Sequence, residues 1–191
     1  MRRGIYVGSF DPVHKGHIAL VNYLILNNYV DMVEIIPTGN YWDKLDLIDV
    51  KYRIEMLRYY QDKNIQINDK LNSLKYTYMI MRELSNKYKS DKLYLIIGAD
   101  NILSFDKWMN VSELFNYEII VVPRDNIDID KYIYKFDKRE KFIIVNGFNE
   151  MDISSKMIRK FISNRERDKL DKYLDRDIIN YIFRYDLYNG G

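Results

Sequence analysis

The feature that most constrains the fold of this chain is a series of short, β-branched, nearly continuous apolar runs separated by amphipathic stretches. The runs are Ile5–Val7, Val33–Ile36, Leu93–Ile97, Ile119–Val122 and Phe142–Val145, with Ile65–Ile67 a weaker sixth. Apolar runs without polar alternation suit strands buried on both faces. The intervening stretches place apolar residues at helical spacing: Ile18, Leu20, Val21, Leu24 and Ile25 in His17–Leu26, then Ile54, Met56 and Leu57 in Tyr52–Tyr60, and Ile80, Met81 and Leu84 in Tyr78–Tyr88. Met157–Ile162 and Ile178–Phe183 continue the pattern near the C-terminus.

Strand alternating with helix predicts an α/β protein, with a Rossmann-like open parallel sheet, helices on both faces and a helical C-terminal segment. No linker, repeat or low-complexity segment interrupts the chain, so residues 1–191 read as a single domain. Pro12, Pro37 and Pro123 each sit just after an apolar run, where a strand hands over to a loop. In such sheets ligands bind beyond the carboxyl ends of the strands, near the switch in strand order. The first strand ends at Gly8-Ser9-Phe10.

Composition narrows the chemistry. The absence of cysteine excludes disulfides and thiolate metal sites. A net charge of +2 with mixed acids and bases gives no footprint for nucleic-acid binding, so an anion site must be local. No apolar run approaches the roughly 18 residues needed to span a membrane. Met1–Val7 enters a strand-like run without an apolar signal region, and the expected location is cytoplasmic.

The first motif is Gly8-Ser9-Phe10-Asp11-Pro12-Val13-His14-Lys15-Gly16-His17. Gly8 and Ser9 leave room for phosphate oxygens to approach backbone N–H groups. Asp11-Pro12 turns the chain, and Asp11 can serve that turn alone. Gly16-His17 opens a helix whose N-terminus favours anions. His14 and His17, the only histidines, share a helix face at i and i+3. They could pair on a metal or simply lie at the surface, but donors grouped on one patch suit a phosphoryl group gaining negative charge. The second motif is Ile153-Ser154-Ser155-Lys156-Met157-Ile158-Arg159. One serine can act as an N-cap. Two hydroxyls, open N–H groups and Arg159 one turn in also make a triphosphate clamp.

The first motif resembles the T/H-x-G-H signature of the nucleotidylyltransferase superfamily, and the second resembles its Ile-Ser-Ser-Thr-x-Ile-Arg. The first is also similar to the His-Ile-Gly-His of class I aminoacyl-tRNA synthetases, which are far longer and carry a Lys-Met-Ser-Lys-type loop not found here. A Walker phosphate loop is absent. Further stretches resemble nicotinate-nucleotide adenylyltransferase over nearly the whole chain: Gly98-Ala99-Asp100 followed by Trp108, Tyr76-Thr77, Arg53-Ile54-Glu55-Met56-Leu57, and Asp186-Leu187-Tyr188, similar to a Gly-Leu-Tyr ending. Two positions depart from the family pattern. Tyr41-Trp42-Asp43-Lys44 stands where Pro-Pro-His-Lys is usual, and Lys156 replaces Thr. Phosphopantetheine adenylyltransferases, cytidylyltransferases for phosphoalcohols, and a non-catalytic nucleotide-binding paralogue are the alternatives.

The resemblance implies transfer of the adenylyl group of ATP to nicotinate mononucleotide, giving deamido-NAD and pyrophosphate, with Mg²⁺ carried by the phosphates and no direct protein ligand. A phosphate monoester is ionised at neutral pH, so direct in-line attack on the α-phosphorus needs no general base. Catalysis is then expected from His14, His17, Lys44 and Arg159. Gly8, Ser9, Phe10, Gly16, Ile153, Ser154 and Ser155 are expected around the phosphates. By resemblance, Gly98 and Asp100 would lie at the nucleotide, Asp100 near a ribose hydroxyl. Tyr76, Thr77 and Trp108 would lie at the acceptor, with Trp108 stacking on the pyridine ring. Core packing of Trp108 and helix capping by Asp100 are the structural alternatives. Open backbone N–H groups near Trp108 are expected to favour the acid over the amide mononucleotide.

Overall fold

All six apolar runs form strands: four are lengthened where flanking residues continue the ladder, Ile65–Ile67 keeps its bounds, and the last stops one residue short, at Ile144. They are β1 (Arg2–Gly8), β2 (Met32–Pro37), β3 (Ile65–Ile67), β4 (Lys92–Gly98), β5 (Glu118–Val122) and β6 (Phe142–Ile144). The structure, a computed structural model, describes residues 1–41, 46–124, 127–149 and 151–189. The strands form one sheet in the order β3-β2-β1-β4-β5-β6, and every pairing is parallel. The five helical stretches read from periodicity become α1 (Lys15–Leu26), α2 (Val50–Arg58), α3 (Thr77–Lys87), α7 (Ser155–Ser163) and α9 (Arg176–Arg184). Four shorter helices join them: α4 (Ala99–Ile102), α5 (Val111–Leu114), α6 (Ile129–Ile133) and α8 (Arg167–Leu170).

The unbroken apolar character of the strands is explained by cover on both faces. Along β1, Ile5 joins one core layer and Tyr6 packs against the other; Ile35 and Ile36 divide the same way on β2. One layer meets Val21 and Leu24 of α1, Met56 and Leu57 of α2, Ile158 of α7 and Ile182 of α9. The other meets Ile80 and Leu84 of α3, Ile102 of α4 and Ile133 of α6. Each fully buried aliphatic side chain contributes about 1.5–3 kcal/mol to this two-sided core. Among the described residues, no helix is long and apolar enough to cross a membrane.

Strand order grows outward from β1 in one direction through β2 and β3, then in the other through β4, β5 and β6. The reversal leaves a crevice between the carboxyl ends of β1 and β4, at Gly8 and Gly98. The opposite end of the sheet is closed by a buried polar cluster. Arg3 donates to Asp91, Glu34 and Gln66 and stacks over Tyr88, 3.6 Å from the ring centroid.

Candidate active site

Two adjoining hollows open at this crevice. The larger, about 490 Å³, is lined by Gly8, Ser9, Phe10 and His17 on one side and by Thr77, Gly98, Asp100 and Trp108 on the other. The smaller, about 150 Å³, is lined by His14, Gly16, Ile153 and Ser154. His17, Arg124 and Ser155 line both. Most of the residues singled out by motif thus converge on one place. Tyr76 caps the amino end of α3 but lines neither hollow. Lys44, with Asp43, lies outside the described residues.

The first motif forms a tight loop whose shape depends on two close approaches. Phe10 has φ of +49°, in the left-handed region, and its buried ring folds back under Gly8. A Cβ on Gly8 would meet that ring at 3.0 Å. At Gly16, a Cβ would lie 3.0 Å from His14 Nδ1, so glycine lets the His14 ring lie over the first turn of α1. The carbonyls of this loop are held from behind. Arg53 donates to the Ser9 carbonyl (2.6 Å), Arg159 to the Asp11 carbonyl (2.6 Å) and Ser155 Oγ to the Pro12 carbonyl (2.9 Å).

The buried Asp11 carboxylate accepts from the Tyr188 hydroxyl at 2.9 Å and pairs with Arg159 at 3.5 Å. Burial raises its pKa, against the lowering pull of Tyr188 and Arg159. Asp11 therefore does more than turn the chain: it ties the loop to α7 and the C-terminal residues. Arg159, read from its spacing as a phosphate holder, is committed to Asp11 and lines neither hollow.

The two imidazoles stack at 3.6 Å between centroids. His14 N–H donates to His17 Nδ1 at 3.2 Å, a cap on α1 that leaves the His17 proton on Nε2 as a donor. Burial and the nearby Arg124 charge push His14 down to about 4. Burial, then the charges of His14 and Arg124, hold His17 well below the usual histidine value. Both rings are therefore neutral near pH 7. His14 is charged more readily in the unfolded chain, so its contribution to stability is complete above pH 6.5 and is lost as pH falls towards 4. Thermal unfolding should show it: the fall in Tm between pH 6.5 and 4 should shrink by on the order of 5 °C in His14→Gln. An unchanged pH profile in the variant would place the titration elsewhere.

At α7 the N-cap expectation is met by Ser154, and both serine hydroxyls are engaged within the protein. Ser154 is the N-cap and its Oγ accepts from Met157 N–H at 3.2 Å, while Ser155 Oγ is turned to Pro12. The Ser155 and Lys156 N–H groups have no acceptor among the described residues, as first-turn groups of a helix normally do not.

On the facing wall, Gly98 caps α4 and a Cβ there would lie 2.4 Å from Asp100 Oδ1, so glycine makes room for that carboxylate. Asp100 sits inside the first turn and is not the N-cap. Trp108 is half-buried and packs on the fully buried Phe105 at 5.1 Å between centroids. Phe105 is itself wedged among Phe115, Phe136 and Phe142. The Trp108 N–H itself is not one of the open N–H groups expected near it. Trp108 closes a 3₁₀ turn, Phe105–Lys107, and its N–H is taken by the Phe105 carbonyl at 3.1 Å. The nearby helix α5 begins only at Val111. Among the described residues, the cations lining the larger hollow are Lys75 and Arg124.

Comparison with known proteins places this geometry. A Cytidylyltransferase-like family model matches residues 5–161. A Flavobacterium psychrophilum protein named "probable nicotinate-nucleotide adenylyltransferase" is 33% identical, over 92% of this chain and 96% of its own. A Clostridium perfringens protein of the same name is 31% identical, over 97% and 96%. This chain is a nicotinate-nucleotide adenylyltransferase family member. Its nucleotidyltransferase class follows from that membership. The fold also matches a Plasmodium falciparum nicotinic acid mononucleotide adenylyltransferase complexed with NaAD, with a TM-score of 0.84 at 23% identity, over 100% of this chain and 98% of that one.

Family membership gives the departures a physical reading. Lys156, in place of the family's Thr, is exposed in the first turn of α7. Asp186, in place of Gly, has φ of +52°, the region glycine adopts freely, and accepts from Asn189 Nδ2. Two wall residues escaped the motif reading. Arg124 faces both hollows, and Thr38 Oγ1 is buried with no hydrogen-bond partner among the described residues. Both follow a strand-ending proline, Pro123 or Pro37, so the rule that directed attention to Gly8 applies to them equally.

Proposed function

We propose that the protein joins ATP and nicotinate mononucleotide to form deamido-NAD and pyrophosphate. One observation carries this reading: the donor loop Gly8–His17 faces Thr77, Asp100 and Trp108 across a single crevice, so a triphosphate and a flat-ringed mononucleotide can meet there. The relatives' names and the NaAD complex of the Plasmodium protein support the same pair of substrates.

In this reading an oxygen of the acceptor's phosphate attacks the α-phosphorus of ATP in line. The bond from that phosphorus to the bridging oxygen breaks, and pyrophosphate leaves with the electron pair. The attacking phosphate is already ionised, having a second pKa of about 6, so no proton need be removed. His17 Nε2–H and the Ser9 and Phe10 N–H groups stabilise the charge that builds on the α-phosphate oxygens. Arg124, the Ser155 and Lys156 N–H groups and His14 hold the leaving pyrophosphate. Mg²⁺ would be held by triphosphate oxygens and water, neutralising phosphate charge. Asp100, the one carboxylate among the described residues lining the larger hollow, is assigned to a ribose hydroxyl. Thr77 and Trp108 take the pyridine ring. Since the Trp108 N–H is occupied, the ring carboxylate is assigned to Lys75, which lines the larger hollow with Thr77 and Trp108.

Pyrophosphate release measured against nicotinate mononucleotide, nicotinamide mononucleotide, phosphopantetheine and a phosphoalcohol, with ATP and CTP in parallel, tests the assignment. ATP with nicotinate mononucleotide should give the highest kcat/KM, more than about tenfold above the amide, because only the acid brings a ring carboxylate to the Lys75 ammonium. Equal or better turnover of phosphopantetheine, or of CTP with a phosphoalcohol, would remove the acceptor assignment and leave nucleotidyl transfer standing.

A further inference from the structure

Arg53 is fully buried on α2 and lines neither hollow, yet its guanidinium is committed throughout to backbone and amide oxygens near the site. Nη1 donates to the Ser9 carbonyl at 2.6 Å, Nη2 to Asn40 Oδ1 at 3.0 Å and Nε to the Ile48 carbonyl at 3.1 Å. Asp11 contributes a favourable field, but no carboxylate of the described residues lies in ion-pair range. A buried cation on neutral acceptors is a costly way to fill space that an apolar side chain of similar volume could fill. Stability alone gives no reason for it.

The peptide it grips gives one. In a planar trans peptide the N–H points away from the carbonyl, so holding the Ser9 carbonyl fixes the direction of the Phe10 N–H. Arg53 lies behind the loop, and Ser9 and Phe10 line the hollow in front of it. Neither the Ser9 nor the Phe10 N–H finds an acceptor among the described residues. Phe10 also sits at φ +49°, a conformation that costs a non-glycine residue energy and that the loop must be held in. A reversed peptide would turn a carbonyl, with its negative end, towards an incoming phosphate. The two orientations therefore have opposite effects on the same anion.

We propose that Arg53 is a positioning residue for nucleotidyl transfer, holding the Ser9–Phe10 peptide with its N–H towards the phosphate that reacts. The inference rests on the adenylyl-transfer reading above for the identity of that phosphate. Asn40 and Ile48, held by the same guanidinium, register the loop after β2 against the donor loop. A lysine ammonium keeps the charge but lacks the planar fork that meets three acceptors at once.

The test uses Arg53→Lys and Arg53→Met in the full chain, with Tm measured for each and kinetics taken at the same margin below it. Both variants should lose about 10- to 100-fold in kcat, while the ATP Kd from calorimetry changes less than about fivefold, the pattern of a donor that matters most in the transition state. The Phe10 amide in a ¹⁵N–¹H spectrum should move downfield when ATP and Mg²⁺ are added to the wild type, and should not do so in the variants. That amide readout needs no acceptor, so it separates failure of the Arg53 role from failure of the acceptor assignment, which would appear as a wild type silent on nicotinate mononucleotide. A Phe10 amide indifferent to ATP in the wild type, a folded variant with normal kcat, or a loss confined to ATP affinity would overturn the proposal.

Discussion

Replacing His17 by alanine should lower kcat by about 10²- to 10³-fold while weakening ATP binding by less than about tenfold. The expectation comes from how the ring is held. Its Nδ1 accepts the His14 N–H, so in the neutral ring Nε2 carries the only proton and is a donor. Phe10 meets the ring edge-on at 5.1 Å and His14 stacks on it at 3.6 Å, which fixes its orientation before substrate arrives. A neutral donor interacts modestly with a ground-state phosphate that water also solvates. Its hydrogen bond strengthens as charge accumulates on the α-phosphate oxygens, so the larger part of its effect belongs in kcat. Removing the ring also removes a helix cap, with a cost of about 1 kcal/mol, and Tm should be recorded beside the kinetics. Near-normal turnover in a folded variant, or a loss carried wholly by KM, would deny His17 this role.

What the sequence made legible was whatever repeats locally. Runs such as Leu93–Ile97 and stripes such as Ile80, Met81 and Leu84 carry their period within a few residues, and both appear as read. The helices α4, α5, α6 and α8 have four or five residues each, too few for a 3.6-residue period to show. The first motif was legible because one short loop contains most of its donors.

The supports of that loop were not legible, because they come from far along the chain. Tyr188 reaches Asp11 across 177 positions and Arg159 reaches it across 148. Spacing placed Arg159 one turn inside a helix whose N-terminus faces the site, and that much is so. The direction of its side chain depends on the Asp11 carboxylate, which only the fold brings beside it. The same limit explains Trp108: its position in the wall follows from the motif, but the 3₁₀ turn that occupies its N–H depends on how Phe105 packs among three other phenylalanines.

Replacing Trp108 by alanine should raise KM for nicotinate mononucleotide by about 10- to 100-fold, since stacking an aromatic base on an indole contributes about 1–3 kcal/mol. ATP affinity should change by no more than about twofold, because the smaller hollow with His14, Ile153 and Ser154 does not include this residue. Part of the Trp108 surface packs on Phe105, so truncation also opens the aromatic cluster and should lower Tm. Trp108→Phe separates the two effects. It keeps a flat ring at the wall and some contact with Phe105, and it should recover most of the acceptor affinity even if Tm stays below wild type. A Trp108→Ala variant whose ATP Kd rises while KM for nicotinate mononucleotide holds would mean that the indole serves the adenine. The two nucleotides would then exchange places in the crevice, with the donor loop still between them.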